Sequence, residues 1–242
     1  LQNKVGIISD IIHTAYSCGG VVLQTFWEQE FKCPICGKVF HSVRVFSDAI
    51  KIKERDSDLK PTYDGVNVML FQPVTCPECF YTAFENDFEI SFSQRQKEML
   101  VKLCEKLKSM LSINLSKDRN LKDGVSIFTI TAAVYTILEK HLRAAEAYLK
   151  LAWIFRDLKN HDEEAKALSS ALKHFMESYT KEELSNDQQV MVLFYLGELN
   201  ARLSNKKEAV RWFSTLIQKF GNNNSVYVKL ARKEWQEVTM RK

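Results

Sequence analysis

Two short phrases hold the residues best suited to chemistry: CPIC at Cys33 to Cys36 and CPEC at Cys76 to Cys79, together four of the six cysteines. Two thiolates spaced by two residues on a tight turn can face one ion, and two such turns supply the four corners that zinc prefers. Pro34 and Pro77 stiffen the turns. Gly37 follows the first pair and can take the positive φ that turns backbone N–H groups toward the sulfurs. Phe80 holds the matching place after the second pair. The reading is a structural Zn2+ site with Cys33, Cys36, Cys76 and Cys79 as ligands. Iron is the alternative metal, because a tetrahedral all-sulfur site accepts either. A redox CxxC normally opens a helix in a βαβ setting, and two copies argue for joint ligation instead. His41 is the remaining candidate, as a substitute for one cysteine.

Other groups that could react are thin. There is no Gly-rich phosphate loop, no HExxH and no GxSxG. Asp56 and Asp58 in "RDSD" have the charge to bind a divalent ion with phosphates. The stronger reading has them fixing a turn through backbone hydrogen bonds, or pairing with Arg55 and Lys53. The five histidines are dispersed and read as surface or capping residues, with His141 and His161 at helix starts. Cys104 lies on an apolar helical stripe with Leu100, Leu103, Leu107 and Leu111 and reads as a core thiol. The expectation is therefore a protein that is not an enzyme, with no catalytic residues and no small-molecule substrate.

The elements that must position the cysteines change character near residue 90. Before it lie every proline, both CPxC pairs and alternating runs such as "SVRVF" and "AIKIK", which read as half-buried strands. After it the spacing is helical. "SQRQKEMLVKLCEKLKSML" is one amphipathic helix, "SINLSKDRNLKDG" a loop over 112–124, and "SIFTITAAVYTILEK" the next helix. "HLRAAEAYLKLAWIFRDLKN" is apolar nearly all round from Ala144 to Phe155, so neighbours must enclose it. In "DEEAKALSSALKHFMESY" the face is Ala165, Leu168, Leu172, Phe175 and Tyr179, with Asp162 as N-cap. Leu196, Gly197, Ala209 and Phe213 match the tetratricopeptide (TPR) pattern, whose small residues let two helices approach closely. Ala152 and Ala165 form a looser copy, and "SVYVKLARKEWQEV" caps the stack.

The chain has 242 residues and 45% hydrophobic content, enough for a core without disulfide staples. A formal charge of +4 is too mild to indicate nucleic acid or a membrane surface. The surplus lies at the end: Lys206 to Lys242 holds nine Lys and Arg against three Glu. Cysteines gathered in CPxC pairs suit a reducing, cytoplasmic setting. Near the start, "VGIISDIIHTAYSCGG" is poor in charge and raises an export or lipid-attachment remnant at Cys18. Asp10 and His13 interrupt it, so it reads instead as an amphipathic helix before a Gly19-Gly20 turn, with no membrane span.

The order "CPICGKVF", "RDSD", "YDGVN", "CPECFYTAFENDF" resembles the bacterial family named domain of unknown function 2225. Further matches are "DRNLKDGVS", "RAAEAYLKLAWIFRDL", "LGELNARLSNKKEAVRWFS" and "ARKEWQEV", so the resemblance runs from about Phe31 to Glu237. It implies metal binding and a TPR-like helical tail, and carries no established activity. The family pattern has Gly after the second CPxC and Asn-Pro after the tyrosine; here Phe80 and Asn67-Val68 stand there. The expected fold is α+β: an N-terminal amphipathic segment over 1–30, a zinc-ribbon-like β-rich domain over 31–90, and an all-α TPR-like stack over 91–242. The expected role is a zinc-stabilised scaffold that binds a protein or peptide in a helical groove. The alternative is a nucleic-acid-binding zinc ribbon, which "FYTAF" beside the cysteines supports. Against it, basic and acidic residues nearly balance from Arg44 to Lys60, whereas phosphate binding needs a positive face.

Overall fold

A computed structural model describes residues 24–240; the segment holding Cys18 and the Gly19-Gly20 turn lies outside them. Among the described residues, six strands form three antiparallel pairs. β1 (Phe26–Lys32) pairs with β2 (Val39–Val45), β3 (Ile52–Arg55) with β4 (Pro61–Tyr63), and β5 (Pro73–Thr75) with β6 (Thr82–Phe84). β1 starts five residues before 31, and of "AIKIK" only Ile52 and Lys53 are strand, because Ser47–Ala49 turn as a short 3-10 helix. Seven helices follow: α1 (Gln94–Met110), α2 (Leu121–Ile137), α3 (His141–Asp157), α4 (His161–Lys181), α5 (Asn186–Arg202), α6 (Lys206–Phe220) and α7 (Val226–Met240). Each packs on the next from α1 to α7, and α7 also covers α5, as expected of a cap. The overall class is α+β, a small hairpin region carrying four clustered cysteines and then a helical stack.

Local signals set the boundaries. The loop expected over 112–124 ends at Asn120, since Asn120 and Asp123 form a capping box that starts α2 at Leu121. Asn160, not Asp162, caps α4; its side chain accepts the Glu163 N–H, and Asp162 sits in the first turn. Three connections share one design. Glu139, Lys159 and Ser204 adopt φ of 56°, 57° and 64°. The next residue's N–H reaches back to a carbonyl in the last turn, as in Lys140 to Tyr135, Asn160 to Phe155 and Asn205 to Asn200. That same residue is the N-cap of the following helix, so α2 to α3, α3 to α4 and α5 to α6 reverse within three residues.

Two cores meet across α2, which is apolar nearly all round. Phe128 and Ala132 join Met69, Leu70, Phe71, Trp153, Ile154 and the later helices. Ile130, Val134 and Tyr135 join Phe31, Phe40, the buried cysteines, Tyr81, Phe88 and Leu100. Both cores thus draw residues from either side of residue 90. In α4 the expected face holds at Leu168 and Phe175, which are buried, and at Leu172 and Tyr179, which pack half-buried against the core, while Ala165 is exposed; Ala167, Ala171, His174 and Ser178 are buried beside it. The face turned inward is therefore wider than the expected stripe, because the small Ala167, Ala171 and Ser178 let a neighbour approach.

The residues that match the TPR pattern fall on α5 and α6, which pack on each other. A Cβ on Gly197 would lie 2.5 Å from the Phe213 ring, and Ala209 and Phe213 are fully buried. Gly197→Ala should therefore cost about 2 kcal/mol in urea unfolding, typical of overpacking. Phe213→Leu combined with it should cost less than the sum of the two, since the smaller side chain yields to the new methyl.

Candidate metal centre

Each CPxC is the turn of a hairpin. In the first, β1 and β2 bring Lys32 opposite Val39, and in the second, β5 and β6 bring Thr75 opposite Thr82. The turns superpose in their hydrogen bonds. Cys33 N–H donates to Lys38 O and Gly37 N–H to Cys33 O, both at 2.9 Å; Cys76 N–H donates to Tyr81 O and Phe80 N–H to Cys76 O, again at 2.9 Å. Gly37 takes φ +75° and Phe80 takes φ +60°. Phe80 thus performs the glycine's backbone task in a region that costs a residue with a Cβ roughly 1 kcal/mol or more.

The two turns bring all four cysteines of the expected set together. Their sulfurs lie within 4.8 Å of one another. Cys33 to Cys79 and Cys36 to Cys76 are both 3.6 Å. A tetrahedral ion with metal–sulfur bonds near 2.3 Å has sulfur–sulfur edges of about 3.8 Å. The donor set therefore fits one metal ion in both number and spacing. Cys33, Cys76 and Cys79 are buried, whereas Cys36 is exposed. Hydrogen bonding to Cys33 pulls the Cys76 thiol down to about 2, and Cys76 pushes Cys33 up to about 12. Cys104 and Cys33 push Cys79 up further. Four sulfurs this close ionise together only if a cation takes up their charge.

The supports around the cysteines come from three directions. Phe88 sits against Phe31, Phe40 and Tyr81 with ring centroids 5.4, 5.9 and 5.2 Å away. On α1, Cys104 shares the buried core of Cys33, Cys76 and Cys79, and one turn on, Lys108 pairs with Glu78 inside the second CPxC. Cys104 is buried on the α1 stripe, as expected of a core thiol. From α2, the Tyr135 hydroxyl accepts the Phe84 N–H at 2.9 Å and donates to Asp87 at 3.0 Å, which fixes β6.

His41 is not part of the cluster; it is exposed, 3.9 Å from Glu30. Asp56 and Asp58 have other partners than those expected. The backbone turn holds, with Lys60 N–H on Asp58 at 3.3 Å, but Arg55 and Lys53 play no part in pairing the carboxylates. Arg156 of α3 bonds Asp56 and Asp58, each at 2.7 Å, and the Trp153 indole donates to Asp58 at 2.9 Å. Asp58 is completely buried, so this is a structural joint between the β3 to β4 turn and the stack. Among the histidines, His41 and His161 are exposed and His141 and His161 open helices as expected, but His174 differs. His174 is buried, and with His141 and Glu177 it forms a second group able to approach a metal.

These features define a class: a paired-hairpin four-cysteine head joined to a helical stack. The chain belongs to the bacterial family described as "Uncharacterized protein conserved in bacteria (DUF2225)", which it matches over residues 26–238. A protein of Borreliella burgdorferi described as "Uncharacterized protein" is 27% identical over 154 residues. That match covers 57% of this chain and 55% of the relative, a little over half its length. No solved structure matches the chain. No described helix is long and apolar enough to cross a membrane.

Proposed function

We propose that this protein is a scaffold in which Zn2+ on Cys33, Cys36, Cys76 and Cys79 stiffens the hairpin head, and head and helices together hold an extended segment of a partner protein. Four thiolates fill every position of a tetrahedral ion, so the metal supplies stability and leaves no place for water or substrate. The observation that carries the reading is a cleft of about 590 Å³ between the β3 to β4 hairpin and α3, α5 and α7. Its walls include Ile52, Tyr63, Trp153, Tyr195 and Tyr227, with Arg55 and Lys150 among them.

Apolar and aromatic walls with a few charged groups suit a peptide docked by alternate side chains. Burial lowers the pKa of Lys150, so its ammonium gains most from an incoming carboxylate. The fitting segment is one with bulky apolar residues and an acidic residue. Ile52 and Val226 line the cleft and are 42% and 49% exposed, which makes them substitutable without loss of core. Affinity capture from the native host, read by native mass spectrometry, should give a stoichiometric protein partner and one zinc on the cysteine centre. Ile52→Glu with Val226→Glu should lose the partner and keep the metal. An unchanged partner on the double variant, or salt-sensitive retention on single-stranded nucleic acid with no protein bound, would overturn the reading.

A further inference from the structure

His141 opens α3, and His174 and Glu177 lie one turn apart on α4, so two adjacent helices aim three donor groups at one point. Nδ1 of His141 is 3.3 Å from Nδ1 of His174 and 2.9 Å from Oε2 of Glu177. The third side, His174 Nδ1 to the same oxygen, is 3.9 Å. A tetrahedral ion with metal–nitrogen and metal–oxygen bonds near 2.0 to 2.1 Å has ligand edges of about 3.3 Å. The three measured edges straddle that value.

The proton positions leave the point short of donors. The Thr136 hydroxyl donates to Ala132 O at 2.8 Å, so at 3.5 Å from His174 Nε2 it acts as acceptor. The ring proton of neutral His174 then sits on Nε2, and Nδ1 presents a lone pair. That lone pair faces the Nδ1 of His141, whose one hydrogen must serve both it and Glu177. A buried acceptor served part-time is costly, and a cation among the three satisfies all of them. The supports resemble those of a metal site. Tyr148 stacks on His174 at 5.4 Å and 15°. Both oxygens of Glu182 accept backbone N–H groups, from His141 at 2.6 Å and Leu142 at 3.1 Å, which fixes the start of α3. Lys181 approaches the outer oxygen of Glu177 at 4.0 Å, leaving the inner one to the histidines.

We propose that His141, His174 and Glu177 form a second site, for a divalent transition ion of the Zn2+ class, carried by α3 and α4 alone. Three protein ligands leave the fourth position to water or to a donor from outside the chain. This site is independent of the scaffold reading and of the cysteine centre.

Metal counting on the whole chain separates the two centres. Protein equilibrated with Zn2+ and desalted should hold two ions per chain, and Glu177→Gln or His141→Gln should hold one. His141 and Glu177 are partly exposed, so these variants should keep the wild-type circular dichroism in the presence of zinc, with melting lowered only by what the lost second ion contributes. Co2+ as probe should give sulfur-to-metal charge-transfer absorption from the cysteines in all three proteins. The weaker visible bands of a nitrogen and oxygen site should vanish in the variants. One ion per chain in the wild type, or a second ion that both variants retain, would overturn the proposal.

Discussion

Stripping the metal should collapse the hairpin head while the helices persist. A strong chelator is expected to lower the melting temperature by on the order of 10 °C or more, because structural zinc couples roughly 10 kcal/mol of binding to folding. The near-ultraviolet signal should fall most, since Phe31, Phe40, Tyr81 and Phe88 share the core of Cys33, Cys76 and Cys79. Far-ultraviolet helicity should change little, because most of the packing of α3 to α7 lies in the other core. Cys76→Ser should reproduce the effect without chelator. Its side chain is fully buried, and its sulfur stands 3.6 Å from that of Cys36, so a serine there removes a ligand and leaves a buried hydroxyl. A metal-free protein with unchanged melting and unchanged aromatic signal would exclude a structural ion at this centre.

The centre was legible because its determinants are local. A CPxC turn brings its own two sulfurs together, and only the meeting of the two turns needs the rest of the chain. The α1 stripe, the enclosed α3 and the contact of Gly197 with Phe213 are local in the same sense, set by spacing within one helix or one helical pair. What escaped depends on distance or rotation. Asp58 has basic neighbours in sequence, but its partners Trp153 and Arg156 are 95 and 98 residues away, and burial of a carboxylate leaves no periodic trace. His174 was hidden because it lies beside the apolar Leu168, Leu172 and Phe175 stripe, where the small residues Ala167, Ala171 and Ser178 widen the buried face without adding an apolar period of their own. The three matching turns around Glu139, Lys159 and Ser204 carry no glycine, so their left-handed residues gave no glycine signal.

Asp58→Ala should be among the most damaging single substitutions away from the cysteines. The carboxylate accepts from Arg156 at 2.7 Å and from Trp153 at 2.9 Å, and Arg202 lies 3.4 Å away. Removing it leaves a largely buried guanidinium and an indole N–H without their acceptor, a loss of about 3–5 kcal/mol when one partner of a buried ion pair is deleted. Arg156 keeps Asp56 and Glu164, both at 2.7 Å, which places the cost toward the lower end of that range. Asp58→Asn keeps the shape and one acceptor, so it should cost less and change the pH dependence instead. Burial raises the Asp58 pKa, but the Arg156 hydrogen bond and the charge of Arg202 outweigh it and hold the carboxyl below its ordinary value. A depressed folded pKa contributes stability that is fully present above the unfolded value, about 3.9, and is lost as pH falls through the folded one. Urea unfolding from pH 7 to pH 2 should therefore show the gap between wild type and Asp58→Asn constant near neutrality and closing in acid. The joint would be refuted by an Asp58→Ala protein within about 0.5 kcal/mol of wild type at pH 7, the range of surface substitutions.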